Sequence, residues 1–137
     1  MELDEQRVKD LAVRYADMAP GSVIRELRTA DSEKELLHRI EAVYRLPNHN
    51  GIEVAQAVCK LAVNESHPRI FALAIELLDY GLRVNEQHEV LKAIKDRLKK
   101  NSELANSEIV NLALLDRRDG MVGERIQRLL EEYFPRH

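Results

Sequence analysis

The sequence predicts an all-α protein, a solenoid-like array of seven or eight short helices forming one domain over residues 1–137. Three observations predict it. Apolar residues recur at helical spacing almost throughout the chain. The breaks between these runs are short, and only 5 Gly and 4 Pro are available for loops. The stretch HPRIFALAIELLDYGL, His67 to Leu82, is apolar on two faces at once, which requires a helix buried from two sides.

Val8, Leu11, Ala12 and Tyr15 mark a first amphipathic helix that stops at Pro20 and Gly21. Ser22 is positioned to cap a short second helix carrying Val23, Ile24 and Leu27. Ser32 followed by Glu35 is a capping box, in which each side chain bonds the other residue's backbone N–H. The helix it opens carries Leu36, Ile40 and Val43 on one stripe and ends before Pro47. Asn50 with Glu53 repeats the pattern ahead of a fourth helix with Ile52, Ala55, Val58, Cys59, Ala62 and Val63.

Pro68 then stands in a first helical turn, where proline is well tolerated. In the helix it opens, Ile70, Leu73, Ala74 and Leu77 form one stripe, and Phe71, Ile75, Leu78 and Leu82 form a second. Arg69, Ala72, Glu76, Asp79 and Arg83 are left as the strip facing water. Such a helix is expected at the centre of the array, flanked by its neighbours in sequence. Burying each Leu, Ile or Phe contributes about 1.5–3 kcal/mol, so this helix is expected to dominate the core. A sixth helix uses Val90, Leu91, Ile94 and Leu98, and a seventh Ile109, Val110, Leu112, Ala113 and Leu115. Gly120 and Gly123 precede a last one with Ile126, Leu129, Leu130, Tyr133 and Phe134. The helix pairs repeat about every 35 residues, the scale of helical solenoids.

Composition narrows the function classes. Hydrophobic residues are 45% and charged residues 33%, the balance of a folded globular chain. The net charge of −3 supplies no global basic field for nucleic acid. The single cysteine, Cys59, excludes an internal disulfide and fits a reducing compartment. The N-terminus, with Glu2, Asp4 and Glu5, is too acidic for a signal peptide, and no run approaches the ~18 apolar residues of a membrane span. A cytoplasmic protein is expected.

No catalytic motif is visible. His38, His49, His67, His88 and His137 show no metal-ligand spacing, and solvated or capping roles are expected for them. Cys59 lies on the apolar stripe Ala55–Cys59–Ala62, where an inert buried thiol is expected. The carboxylate pairs Glu33/Glu35 and Glu131/Glu132 lie on polar faces. Gly120-Met121-Val122-Gly123 lacks the strand before it and the Lys after it that a phosphate loop needs. No catalytic residue, metal or cofactor is expected, and a non-enzymatic role follows.

One charge feature stands out. LKAIKDRLKKN brings Lys92, Lys95, Arg97, Lys99 and Lys100 together against a single acid, Asp96. Lys92, Lys95 and Lys99 share a helical face by their spacing of three and four. The plain reading is a solvated face whose cations complement the helix dipole. The functional reading is a wall that attracts an acidic or phosphorylated peptide.

TADSEKELLHRIEAVYRL and GIEVAQAVCKLAVNESHPRIFALAIELLDYGLRVNEQHEVLKAIKDRL together resemble the VHS/ENTH family of trafficking adaptors. The shared order is a cap and acidic turn, an Ala-rich helix, a polar turn with Pro, a central helix, then a helix with a basic face. IQRLLEEYFP is similar to the family's closing helix. The resemblance implies a right-handed superhelix and an adaptor binding peptide signals or a protein partner in vesicle or endosomal traffic. It also implies peripheral association with endosomal or Golgi membranes through that partner. In this family the basic helix borders a peptide groove, which would place Lys92, Lys95 and Lys99 along it.

Two departures matter. Arg83-Val84-Asn85 stands where the family has Asn-Cys-Gly, and Lys34 stands near where ubiquitin-binding members carry a Trp. Ubiquitin binding is therefore not carried over. The same superhelix serves readers of phosphorylated polymerase-tail repeats, and HEAT-like scaffolds share this style of central helix.

Leu77→Asp is expected to unfold the protein, because an unpaired carboxylate buried at the centre costs an amount comparable to total stability. Loss of helical circular dichroism and of a cooperative melt is the expected result. A variant melting like the wild type would refute the central placement.

Overall fold

The computed structural model describes residues 3–119 and 123–135, with the side chains at 33, 48–50, 118 and 119 excepted. It is all-helical: nine helices and no strand occur among the described residues. The addition to the expected set is a one-turn helix, α7 (Ser102–Ala105), opened by Asn101, whose side chain accepts from the N–H groups of Glu103 and Leu104. The chain forms two compact units, Met1–Ala57 and Val58–His137, and the division falls within α4.

In the first unit, α1 (Glu5–Ala16) is capped by Asp4, whose carboxylate accepts from the N–H groups of Gln6 and Arg7. Its Val8, Leu11 and Tyr15 are buried, and it packs on α3 (Glu33–Tyr44). Between them α2 (Pro20–Arg28) buries Val23, Ile24 and Leu27. Pro20 is the first residue of α2, so Ser22 lies inside the helix and not at its cap.

Ser32 does cap α3 by accepting from the Glu35 N–H, but the expected box is only half formed. The Glu35 carboxylate turns to Arg7 at 3.1 Å and Arg39 at 3.7 Å, because a cation is a stronger partner than a backbone amide. The fourth helix, α4 (Asn48–Asn64), starts directly after Pro47 and takes in Asn50, which the sequence reading placed at its cap.

The second unit is built around α5 (Pro68–Glu76), capped by the His67 imidazole, which accepts from the Arg69 N–H at 3.2 Å. Every residue from Ile70 to Leu78 is buried. The two apolar stripes are thus present, but the expected water-facing strip is not. Ala72 is 2% exposed and Glu76 9%, because α8 (Glu108–Asp119) packs along α5. A helix distant in sequence is therefore its main partner in this unit, and not the sequence neighbours.

The helix is also shorter than His67–Leu82. It closes at Leu77, the chain turns, and Gly81 adopts φ 85°, a left-handed conformation glycine takes without steric cost. Leu82 falls beyond the helix and is half-buried.

The chain continues into α6 (Val84–Lys100), whose Glu86 side chain accepts from the Arg83 N–H at 3.0 Å. α6 packs against α5, α7 and α9 (Glu124–Tyr133). On α8 the buried row is Val110, Ala113 and Leu114, while Leu112 and Leu115, expected on the apolar face, are 46% and 51% exposed. The Gly120–Val122 part of the last linker lies outside the described residues.

Glu76 is the cost of burying α5 so fully. Burial first, then the neighbouring Asp116, push its carboxyl up from 4.5 to about 8, and Arg117 acts weakly the other way. Between these two values the folded protein holds a proton that the unfolded chain has released. Stability contributed by Glu76 should therefore fall as pH rises from 4.5 towards about 8, and level off above it. Glu76→Gln keeps a donor for Asp116 and removes the titration. Thermal melts from pH 5 to 9 should show the variant gaining on the wild type towards alkaline pH. Parallel curves would refute the assignment.

Candidate functional site

The α6 helix has two characters set by its register. Gln87, Val90, Leu91 and Ile94 are buried along one stripe. His88, Lys92, Lys95 and Lys99 recur at spacings of four, three and four along another. Lys92 and Lys99 are exposed, and neither is held by an ion pair among the described residues.

Lys95 is half-buried, with Nζ 5.9 Å from the centroid of the Tyr133 ring, a cation–π contact. The Tyr133 hydroxyl lies 2.8 Å from His88 Nδ1. Burial, then Glu132, raise the Tyr133 phenol above its ordinary value, so it stays protonated and able to donate. Arg125 of α9 donates through both Nη atoms to Gln87 Oε1, at 3.1 and 2.6 Å, and this fixes α9 beside α6. The three lysines expected to form a face do share one, and the fold adds His88 and Tyr133 to it. The sequence held the signal for His88 in its heptad-like spacing, but Tyr133 is 45 residues away from it and only packing brings it there.

Arg97, in the same basic run, serves a different purpose. Its guanidinium donates to the carbonyls of Ala62, Val63 and Glu65. These lie at the end of α4, where the last carbonyls of a helix have no partner of their own. The planar fork of Arg reaches several of them at once. The basic cluster is thus part surface and part helix cap.

The remaining candidates fall as follows. Cys59 is 1% exposed and its Sγ lies 4.0 Å from the Ala74 carbonyl; burial pushes the thiol up to about 12, so it is inert. His38 is neither solvated nor a side-chain cap of its own helix. It is 5% exposed, with Nε2 accepting from the Asp4 N–H at 2.9 Å. His49 and His137 fall on side chains outside the described set. Glu131 and Glu132 are exposed, as expected.

The sequence reading missed one chemically unusual group, the Glu76–Asp116 pair with Arg117 and Asp79 beside it. Arg117 is only 8% exposed at its side chain and pairs with Asp79 at 2.7 Å. At neutral pH one proton is held on Glu76, as in acid–base sites. Glu76 and Asp79 looked like surface charges because their spacing suits a polar strip, and Asp116 and Arg117 come from α8, far along the chain. Among the described residues no group of His, Cys, Asp or Glu side chains is arranged to hold a metal ion. No helix among them is long and apolar enough to cross a membrane. Comparison with protein-family models, with curated proteins and with solved structures finds no match to this chain.

Arg97→Met keeps the aliphatic stem and removes the donors, leaving partly buried carbonyls unpartnered. It should cost about 1–3 kcal/mol, and Arg97→Lys should recover only part of this, because a single ammonium cannot span the three carbonyls. Urea denaturation of both variants is the check. An Arg97→Met protein as stable as the wild type would show that the cap is dispensable.

Proposed function

We propose that this protein is a non-enzymatic interaction module whose α6 face binds an acidic or phosphorylated segment of a protein partner. The observation behind the reading is that Lys92 and Lys99 stand exposed, with no counter-ion among the described residues, on the same stripe as Lys95. The stripe from Lys92 to Lys99 spans about 10 Å at 1.5 Å per residue, a length matched by three or four residues of extended chain. Ammonium groups in such a row attract anions without demanding one geometry, so the face suits a flexible segment bearing several charges. Tyr133 beside Lys95 adds an aromatic surface and a hydroxyl donor.

Together with the VHS/ENTH resemblance, the reading extends to an adaptor in vesicle or endosomal traffic, held at membranes through its partner. Ubiquitin is left out of the reading because Lys34 stands near the position of the family's Trp. The observation favouring a different class, a small acid–base enzyme, is the protonated Glu76 beside Asp116. Its 9% exposure offers a substrate almost no surface, and it is accounted for by the packing of α5 on α8.

The test uses a fluorescent peptide with a run of Glu and phosphoserine, and two variant sites. Lys92→Glu with Lys99→Glu is the informative pair, since Lys95 is engaged with Tyr133 and its reversal would also disturb packing. The wild type should bind, with affinity falling severalfold as salt is raised through the range where the Debye length drops below about 10 Å. The double variant should keep wild-type helicity and thermal stability and lose binding. Wild-type and variant affinities that are equal and indifferent to salt would return the face to a solvated surface.

A further inference from the structure

His38 stands at the junction of α3 with the start of α1, and its two ring nitrogens have unequal surroundings. Nε2 accepts a hydrogen bond from the backbone N–H of Asp4 at 2.9 Å, so it carries no proton. The neutral ring must then carry its proton on Nδ1, which is buried and has no hydrogen-bond partner among the described residues. The residue is 5% exposed. A backbone N–H can only donate. Once Nε2 is protonated, two donors face each other, and the bond cannot be kept by reversing its direction. His88 differs here, because the Tyr133 hydroxyl that it meets can either donate or accept.

Asp4 is also the N-cap of α1, with its own carboxylate on the N–H groups of Gln6 and Arg7. The bond to His38 therefore fastens the cap residue of one helix to the side of another. We propose that His38 is an acid-sensitive clasp, and that its protonation detaches the first turn of α1 from α3.

Among the described residues, most charged groups around the junction are engaged with other partners. On α1, Asp4 is engaged in capping, Glu5 is held by both Nη atoms of Arg45 at 2.8 Å, and Arg7 is paired with Glu35. On α3, Glu35 also meets Arg39, and Glu41 lies 3.6 Å from Arg45, while Lys34 is exposed. From α2, Glu26 is engaged by Arg14 and Tyr15. If the Asp4 carboxylate moved to the imidazolium it would give up the cap. Either response loosens the same turn.

Hydrogen exchange of the full chain, followed residue by residue by NMR from pH 7.5 to 5, tests the clasp. The ring-proton shift of His38 reports its protonation in the same samples. Exchange protection of the Asp4 and Val8 amides should fall by about tenfold in step with that titration, the effect of losing one net hydrogen bond. Protection in α5 should not follow it. In His38→Gln the side-chain carbonyl can accept from Asp4 without ever gaining a charge, so protection of the same amides should stay constant over this range. A His38 ring-proton shift that does not move over this range, wild-type protection that is unchanged while it moves, or an equal loss in His38→Gln would each overturn the proposal. If His38→Gln does not fold, the wild-type titration decides alone.

Discussion

The burial of α5 is the constraint on which the second unit depends. Nine consecutive positions, Ile70 to Leu78, are withdrawn from water, and six of them are Leu, Ile or Phe. At about 1.5–3 kcal/mol for each large apolar side chain, no other element of this unit contributes as much. Such burial leaves no position for a surface charge, so Glu76 is neutralised by a retained proton instead of by solvent. The helix closes at Leu77, and the turn through Gly81 leads the chain into α6.

The first unit is held by a different balance. Its apolar stripe is narrower, with Val8, Leu11 and Tyr15 of α1 meeting α3 and with α2 beside them. Around this stripe runs a lattice of Arg–Glu contacts: Arg7 and Arg39 to Glu35, Arg14 to Glu26, and Arg45 to Glu5 and Glu41. Exposed pairs of this kind contribute little singly, about 0–1 kcal/mol. Their larger effect is on orientation, since the Arg7–Glu35, Arg14–Glu26 and Arg45–Glu5 pairs each tie a turn of one helix to another, while Arg39–Glu35 and Arg45–Glu41 are i,i+4 pairs along α3. The Asp4–His38 hydrogen bond belongs to the same scheme but is made by a buried side chain.

α6 shows how one helix serves folding and surface chemistry together. Its inward stripe supplies the core, Arg97 closes the end of α4, and Lys92 and Lys99 are left to solvent. Counting basic residues along LKAIKDRLKKN cannot separate these roles. A cation spent on backbone carbonyls and a cation available to a partner have the same sequence signature.

What the sequence determined by itself was the class and the inward-facing pattern. Helical spacing alone named Val8, Leu11, Val23, Leu27, Ile40, Val43, Ile70, Leu73, Leu77, Leu91 and Ile94 as core, and all are buried. The cap at Ser32 was legible too, because a cap is a contact between residues two or three apart, while for His67 a solvated and a capping role both stood open. Local periodicity records which side of a helix avoids water, and that is a property of the segment. The tertiary structure alone decided which helix lies against α5, and so whether Ala72 and Glu76 face water or α8. It decided that Leu112 and Leu115 stay outside, that Arg97 is a cap, that Tyr133 joins the lysine face, and that His38 is buried on the Asp4 amide. Each of these depends on a partner 15 or more residues away, and a polar residue's environment is set by that partner and not by its own spacing. Apolar residues announce burial through pattern, whereas a charge or an imidazole has the same place in the pattern whether it meets solvent, a carbonyl or another charge.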